Sequence, residues 1–307
     1  MIFTVTLNPA IDRELAVPAI RFDEVLRASA SRVDFGGKGF NVSRMLAALG
    51  AESVALGFAG GAAGEQLRDG LEALGIATDF IQIAGETRTN VSIVTDARDR
   101  SIKVNEAGPM VSAAEQEALL QQVRESARAG DWWVLAGSLP PGVPASFYAD
   151  LIAAIRGAGA FVALDTSGPA LRHGCAAKPT LVKPNSVEAG ELSGRPVLNR
   201  YEALEAALAL DGIPYVAVSL SADGALLAHE GKGWQAHPPA IRERSAIGAG
   251  DSMVAGMVWG LTQGDPLEAL RWGVACGAAT AGRDGTEVGT REEVLRLAEQ
   301  VRIERLV

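Results

Sequence analysis

The sequence predicts an α/β fold: a mostly parallel central sheet flanked by helices on both faces, with a small projecting β-sheet. Three observations lead there. Short β-branched, apolar runs alternate with amphipathic helical stretches along most of the chain, which is the rhythm of crossovers covering both faces of a parallel sheet. Two segments, residues 13–35 and 87–104, break that rhythm; the second holds "TNVSIVTD", which alternates polar with apolar residues as a half-exposed strand does. Glycine is abundant, 35 of 307 residues, without a fibrous period, so it marks turns and close backbone approaches.

The elements follow in order. "IFTVTL" opens as a buried strand, with further strands expected around residues 13–17 and 26–35. "FNVSRMLAALG" reads as a helix because Val42, Met45, Leu46 and Leu49 recur at helical spacing and Gly50 stops them. "SVALGFAG" is a strand and "GEQLRDGLEALG" a helix. "SAAEQEALLQQVRESARAG" is a helix with Ser112 as N-cap and Glu115 completing a capping box. "WWVLAGS", "FVALD", "TLVK" and "YVAVSL" continue as strands, separated by helices in "PASFYADLIAAIRGAG", up to about Leu192, and near residues 201–210. The last part is helical over residues 250–262, 266–281 and 291–302. No repeat or long linker interrupts this pattern, so residues 1–307 form one domain, with inserted lid segments at about 12–35 and 87–106.

Composition excludes several classes. The formal net charge is −9 and no Lys/Arg-rich block occurs, which argues against nucleic acid as a partner. A phosphorylated substrate is still allowed, because a few local cations can hold it. Cys175 and Cys276 form no CxxC pair, which suits a reducing compartment. "MIFTVTLNPAIDRELAV" lacks the basic start and apolar core of a secretion signal, and no apolar run approaches the ~18 residues of a membrane span. The expected location is cytoplasmic, away from membranes.

Four constellations bear on chemistry. In "FGGKGFNVSRMLAALG", Gly36, Gly37 and Gly39 surround Lys38, and Asn41 sits in the first helical turn. Glycines let backbone approach a ligand and a Lys there can hold a phosphate, but a glycine turn before a core helix reads equally well. In "SAIGAGDSMVAGMVWG", Gly248, Ala249 and Gly250 lead into Asp251 at a helix start. Unpaired N–H groups and the helix dipole make an anion hole there, with simple N-capping by Asp251 as the alternative. A carboxylate in that position is expected to have a lowered pKa. In "LVKPNSVEAGEL", Asn185 and Glu188 are three apart at a strand-to-helix junction, which suits either hydrated Mg²⁺ or a capping box. Asp12, Arg88 and Asn90 offer a carboxylate for sugar hydroxyls and a cation for a phosphate, or are solvated charges on surface strands. His173, His229 and His237 lack metal-ligand spacing, and Trp132, Trp133 and Cys276 read as packing.

Together these motifs resemble a family: the ribokinase-like sugar kinases of the phosphofructokinase B type. The first family signature is matched by Gly36-Gly37-Lys38-Gly39, Asn41, Ser43, Gly50 and Gly60, the second by "SAIGAGDSMVAGMV". The likeness runs from "TLNPAID" to the final helices. "GSLPPG", "VKPN", "SLSADGA" and "GAGDSM" resemble the phosphosugar branch: 1-phosphofructokinases, tagatose-6-phosphate kinases and the minor bacterial 6-phosphofructokinases. Lys38 and "NEAGP" favour the first two, and Val25 stands where the third usually has a Lys. Ala246 departs from the Thr usual before the second signature.

The resemblance implies an ATP-dependent kinase of a phosphorylated ketohexose, most simply fructose 1-phosphate. Fructose 6-phosphate, tagatose 6-phosphate and an unphosphorylated sugar or nucleoside are alternatives. It implies that Asp251 is the catalytic base and that Gly248, Ala249 and Gly250 supply the anion hole. Lys183, Asn185, Ser219 and Gly224 would border ATP, and Asn185 with Glu188 would organise Mg²⁺. Asp12, Gly37, Lys38, Asn41, Arg88 and Asn90 would hold the sugar phosphate, and Ser245, Ile247 and Gly285 occupy places matching a K⁺ loop. A dinucleotide-dependent dehydrogenase would want G-x-G-x-x-G after the first strand, where "TLNPAID" stands. A catalytically silent sensor would most cheaply arise by losing Asp251 or its glycines, and both are intact. The apolar positions of the projecting sheet, Val91 and Ile93 among them, predict a homodimer paired through the lids.

Overall fold

The structure, a computed structural model, describes residues 1–307. The chain starts with β1 (Ile2–Thr6), leaves the main sheet for β2 (Ala10–Val17) and β3 (Ala30–Gly36), and returns through α1 (Lys38–Leu49) to β4 (Val54–Ala59), α2 (Gly61–Glu72) and β5 (Ala77–Gln82). β6 (Arg88–Thr95) and β7 (Ser101–Val104) leave it again. There follow α3 (Ala113–Ser126), β8 (Trp132–Ala136), α4 (Phe147–Gly157), β9 (Phe161–Asp165), α5 (Gly168–Ala176), β10 (Leu181–Val182), α6 (Ser186–Ser193), α7 (Arg200–Leu208) and β11 (Tyr215–Ser219). β12 (Ala225–His229) and β13 (Lys232–His237) form a hairpin before α8 (Ala249–Leu261), α9 (Pro266–Ala281), α10 (Arg291–Ala298) and β14 (Arg302–Arg305).

The main sheet has ten strands in the order β14-β13-β12-β11-β10-β9-β8-β1-β4-β5. From β11 to β5 all pairs are parallel, so their carboxyl ends share one edge. Two apolar layers cover its faces. One is built on Trp133, Tyr148, Leu119 and Leu151 under α3 and α4; the other on Met45, Leu46, Met257 and Leu270 under α1, α8 and α9. Ser112 and Glu115 make the expected capping box, and Gly50 closes α1 in the left-handed region.

Two expectations need correction at the antiparallel edge. The helix expected over residues 291–302 ends at Ala298, after Val294, Leu297 and Ala298 have buried its apolar face; Arg302–Arg305 then pairs with β13. The β12–β13 hairpin, not foreseen, turns through Glu230 and Gly231, both with positive φ (49° and 70°). That is the geometry of a two-residue hairpin turn, and Glu-Gly is a weaker signal for it than Asn-Gly.

The two rhythm-breaking segments do form one small sheet, in the order β3-β2-β6-β7. Its register sets Asp12 beside Asp34 and Asn90, and one residue further Arg13 beside Val33 and Val91. The pleat therefore gives one face to Asp12, Asn90 and Ser92 and the other to Leu15, Val91, Ile93 and Ile102. None of those four apolar residues belongs to a buried core cluster.

Candidate active site

The shared carboxyl edge gathers the chemistry-bearing residues. In an open α/β sheet this edge has no helix above it, so side chains there line a crevice. Asp165 ends β9 and Lys183 follows β10, and both are buried. The Nζ of Lys183 lies 3.5 Å from Asp165 Oδ1, and the Nζ of Lys38, from the first turn of α1, donates to the same oxygen at 3.1 Å. Lys38 keeps 42% of its side chain exposed and Lys183 only 6%, so the first faces the open crevice and the second is enclosed. Burial raises the pKa of Asp165, but Lys183 and then Lys38 more than reverse this, and it stays ionised below the usual carboxylate range. Burial likewise works against the charge of Lys38, yet Asp165 and then Asp251 hold its pKa above the ordinary value.

Asp251 lies in the first turn of α8. Gly248 caps this helix in the left-handed region (φ 76°) and no side chain caps it. The N–H of Ala249 turns back to Ala246 O at 3.3 Å, whereas those of Gly250 and Asp251 make no backbone bond. The anion hole expected from Gly248, Ala249 and Gly250 therefore draws its free donors from Gly250 and Asp251. A side-chain carbon on Gly250 would sit 3.6 Å from Lys183 Nζ, so the ammonium flanks the same hole. Asp251 accepts a hydrogen bond from Asn41 Nδ2 at 2.8 Å. Its pKa is raised to about 6, first by burial and then by Asp165, against the opposing pull of Lys38, Asn41 and Lys183. This corrects the expectation of a lowered value: desolvation and a second carboxylate outweigh the helix terminus.

Beside Lys38 lies a cavity of about 250 Å³ without an apolar residue, lined by Thr6, Asn8, Gly37, Lys38, Arg88, Gly137, Ser138, Thr166 and Ser167. In this lining Thr6 Oγ1 and Asn8 Oδ1 are buried with no hydrogen-bond partner, as is Oδ2 of Asp165, the partner of Lys38. Arg88 is fixed by three carbonyls, Asn8 O and Glu106 O at 2.9 Å and Pro9 O at 3.4 Å. Carbonyls orient a guanidinium without neutralising it, so its charge remains available to an anion. Burial lowers the pKa of Arg88, with Asp12 and Glu106 pulling the other way. Asn90 Nδ2 donates to Asp12 Oδ1 at 2.8 Å, and burial leads the rise in the pKa of Asp12. A larger hollow of about 440 Å³ lies at the far, amino end of β11, beside Asp211, Pro214 and His229, and meets none of these groups.

Further along the edge, Ser219 bridges to Asn185 and Gly224 turns the chain into β12. Asn185 and Glu188 do form a capping box: Asn185 Oδ1 accepts from Glu188 N at 2.9 Å and Glu188 Oε2 from Asn185 N at 2.8 Å. No group of three or more His, Cys, Asp or Glu side chains forms a metal cage. The donors fit an Mg²⁺ ion held mainly by water and phosphate oxygens: Glu188 is close enough to support the charge of Lys38, and Asp165 Oδ2 is free of other bonds. Ser245, Ile247 and Gly285 meet in one loop contact, Ser245 Oγ donating to Gly285 O at 2.9 Å and accepting from Ile247 N at 3.2 Å.

Sequence reasoning missed Asp165, Asn8, Thr6 and Ser138 as individual site residues. The available signal was positional, since each lies at or just beyond the carboxyl end of an apolar strand.

Comparison with known proteins decides the lineage. The family model for pfkB family carbohydrate kinases matches residues 5–293. The chain belongs to that family. It is 39% identical to the 1-phosphofructokinase of Rhodobacter capsulatus, over 99% of this chain and 98% of the relative. It is 34% identical to a tagatose-6-phosphate kinase of Staphylococcus epidermidis, over 85% of each. Among solved structures, phosphofructokinase-2 from Escherichia coli in complex with potassium aligns with a TM-score of 0.93 at 32% identity, over 97% of this chain and 98% of that one.

A base must be ionised to accept a proton, and Asp251 takes one up as the pH falls through about 6. kcat/KM of this kinase is therefore expected to be flat above that value and to fall about tenfold per unit below it. Asp251→Asn should remove turnover by about 10²-fold or more while retaining ATP binding. A flat profile down to pH 5, or an active Asn variant, excludes Asp251 as the base.

Proposed function

We propose that this chain transfers the γ-phosphoryl group of ATP to a free hydroxyl of a phosphorylated ketohexose, with fructose 1-phosphate as acceptor and fructose 1,6-bisphosphate as product. The observation that carries the reading is the polar cavity beside Lys38, in which the carbonyl-held Arg88 presents a charge that an unphosphorylated sugar leaves unmatched. The two kinds of curated relative, both sugar-phosphate kinases by name, support it. Tagatose 6-phosphate is the second reading, on the strength of the second relative.

On this reading Arg88 and Lys38 bind the phosphate already present, while Asp12, Asn90 and Asn41 orient the sugar. Lys183, Asn185, Ser219 and Gly224 border the nucleotide. Asp251 accepts a hydrogen bond from the acceptor hydroxyl. As the bond between that oxygen and the γ-phosphorus forms, the bond to the β–γ bridging oxygen breaks, ADP leaves, and the proton passes to Asp251. A pKa of about 6 suits this exchange, because the carboxylate is ionised at neutral pH yet accepts a proton readily. The N–H groups of Gly250 and Asp251, with Lys183, stabilise charge on the transferred group. Bound Mg²⁺ would neutralise charge on the nucleotide phosphates, and Glu188 with Asp165 are the carboxylates placed to support it. K⁺ at the Ser245, Ile247 and Gly285 loop would steady the start of α8.

No helix is long and apolar enough to cross a membrane, and both cysteines are free and buried. We place the enzyme in the cytoplasm, where such thiols stay reduced. The half-buried apolar face at Leu15, Val91, Ile93 and Ile102 is where we place a homodimer contact, lid against lid.

Two measurements test these assignments. ADP release across fructose 1-phosphate, fructose 6-phosphate, tagatose 6-phosphate and free hexoses should favour a phosphorylated sugar. Lys38→Ala and Arg88→Ala should raise its KM about 10- to 100-fold with little change for ATP; a free sugar as best substrate contradicts the reading. Light scattering at micromolar concentration should show a dimer that dissociates when Val91 and Ile93 are both changed to Asp. A wild-type monomer, or a folded double variant that stays dimeric, removes the lid interface.

A further inference from the structure

We infer that Asn8 is a positioning residue that acts through Arg88: its side-chain amide fastens residues 105–110 beside the polar cavity, so that a carbonyl of that segment and the carbonyl of Asn8 itself aim the guanidinium at the phosphate of the sugar. The inference rests on the reading that Arg88 meets that phosphate.

Fixing an arginine costs rotamer freedom, so an aimed guanidinium needs partners that are themselves fixed. Those of Arg88 are main-chain carbonyls. Nη2 donates to Asn8 O and Nη1 to Glu106 O, each at 2.9 Å, and Nε donates to Pro9 O at 3.4 Å. Asn8 and Pro9 follow closely on β1, but Glu106 lies in the segment that leaves β7 for α3. From residue 105 to residue 110 this segment makes no backbone–backbone hydrogen bond; the next residue, Val111, donates its N–H to Pro141 O at 2.9 Å. Side chains must therefore take part in fastening it. Three hydrogen bonds reach it: Arg88 Nη1 to Glu106 O, Thr89 N to Glu106 Oε2 at 2.9 Å, and Asn8 Nδ2 to Ala107 O at 3.0 Å. The first two come from β6 of the small sheet. Asn8 alone ties the segment to the main sheet, and so to the cavity.

Asn8 is suited to be the fixed member of this ring. It is 5% exposed and follows Leu7, a core residue at 1%. Its Nδ2 also donates to Ser138 Oγ at 3.4 Å, so one amide joins the segment to the opposite wall of the cavity. Its Oδ1 has no hydrogen-bond partner and faces Gly108, whose φ is 99° and where a side-chain carbon would come within 2.2 Å of that oxygen. The chain thus passes closely over the amide at Gly108 and is held by the preceding carbonyl. A flipped amide would set Oδ1 against Ala107 O, two acceptors facing one another, so the donor must point as it does. Pro109 continues the close fit, lying over Gly85, where an added carbon would be 2.5 Å from its Cβ. Without the Asn8 amide, Glu106 O is held only from the lid, and the guanidinium loses one of its two 2.9 Å partners as a fixed point.

A double-mutant cycle tests this, with KM measured separately for the preferred sugar phosphate and for ATP and with melting temperatures recorded alongside. Asn8→Ala should raise the sugar-phosphate KM about fivefold, the effect of one lost neutral hydrogen bond, and leave the KM for ATP within about twofold. Added to Arg88→Ala, the same change should raise the sugar-phosphate KM by less than about twofold more, because no guanidinium remains to be positioned. A full effect in that background means that Asn8 acts on the sugar or on the fold directly, and overturns the inference. So does an unchanged sugar-phosphate KM in Asn8→Ala, or a loss shared equally with ATP. If Asn8→Ala does not fold, Asn8→Leu, which refills the volume without a donor, carries the same expectations; if that variant does not fold either, Asn8 is a folding requirement and the inference falls. Arg88→Ala alone separates this from the underlying reading. A wild-type sugar-phosphate KM there removes Arg88 from the phosphate site, whereas a raised one beside an unaffected Asn8→Ala leaves that reading standing and removes only the inference.

Discussion

Asp165 sits at 1% exposure between two ammonium groups, and the geometry of the cleft follows from how that buried charge is satisfied. An ionised carboxylate taken out of water costs several kcal/mol unless it is paired. Here the pairing is shared: Lys183 comes from beneath, at the end of β10, and Lys38 from above, at the start of α1. One oxygen therefore fixes two cations that the chain supplies 145 residues apart. Asp251 is the fourth member, and its pKa of about 6 is set by the other three as well as by burial. Two ammonium groups and two carboxylates leave the cluster close to neutral until phosphates arrive.

Sheet topology makes this cluster possible. Parallel strands bring their carboxyl ends to one edge, and each contributes one polar residue there: Asn8 after β1, Ser138 after β8, Asp165 at β9, Lys183 after β10 and Ser219 at β11. α1 and α8 then aim their first turns at the same crevice, and Asn41 ties them together through Asp251. In the proposed function the lid supplies what the edge lacks, a second polar surface, bearing Asp12 and Asn90, to face the sugar. Exclusion of water by that surface matters to a kinase, because water competes with the sugar hydroxyl for ATP.

Much of this was legible in the sequence for physical reasons. Alternating strand and helix periodicity is a direct record of burial, and it located the lid and every parallel strand except β5, whose "ATDFIQ" is too polar to read as a buried run. Gly248 and Gly250 were legible because a helix start without side-chain caps leaves donors for an anion. Asn185 and Glu188 were legible only as alternatives; the capping box is formed, and Glu188 is still close enough to act on the charge of Lys38. Asp165 was not legible. At the end of "FVALD" it looks like any strand terminus, and its meaning lies in Lys38, 127 residues away. The direction of the Asp251 shift was hidden for the same reason, since burial and a neighbouring carboxylate are tertiary facts. The antiparallel edge was missed because strand β14 gains its hydrogen bonds only from β13.

The central claim is that Asp165 both anchors the two ammonium groups and holds up the pKa of Asp251. The most direct measurement is the pH dependence of kcat/KM in Asp165→Asn, set beside wild type. Removing that negative charge favours ionised Asp251, so the acid midpoint should move below the wild-type value of about 6. The KM values for sugar phosphate and ATP should both rise, because Lys38 and Lys183 lose their common anchor. A midpoint that stays at about 6, with both KM values unchanged, contradicts the account.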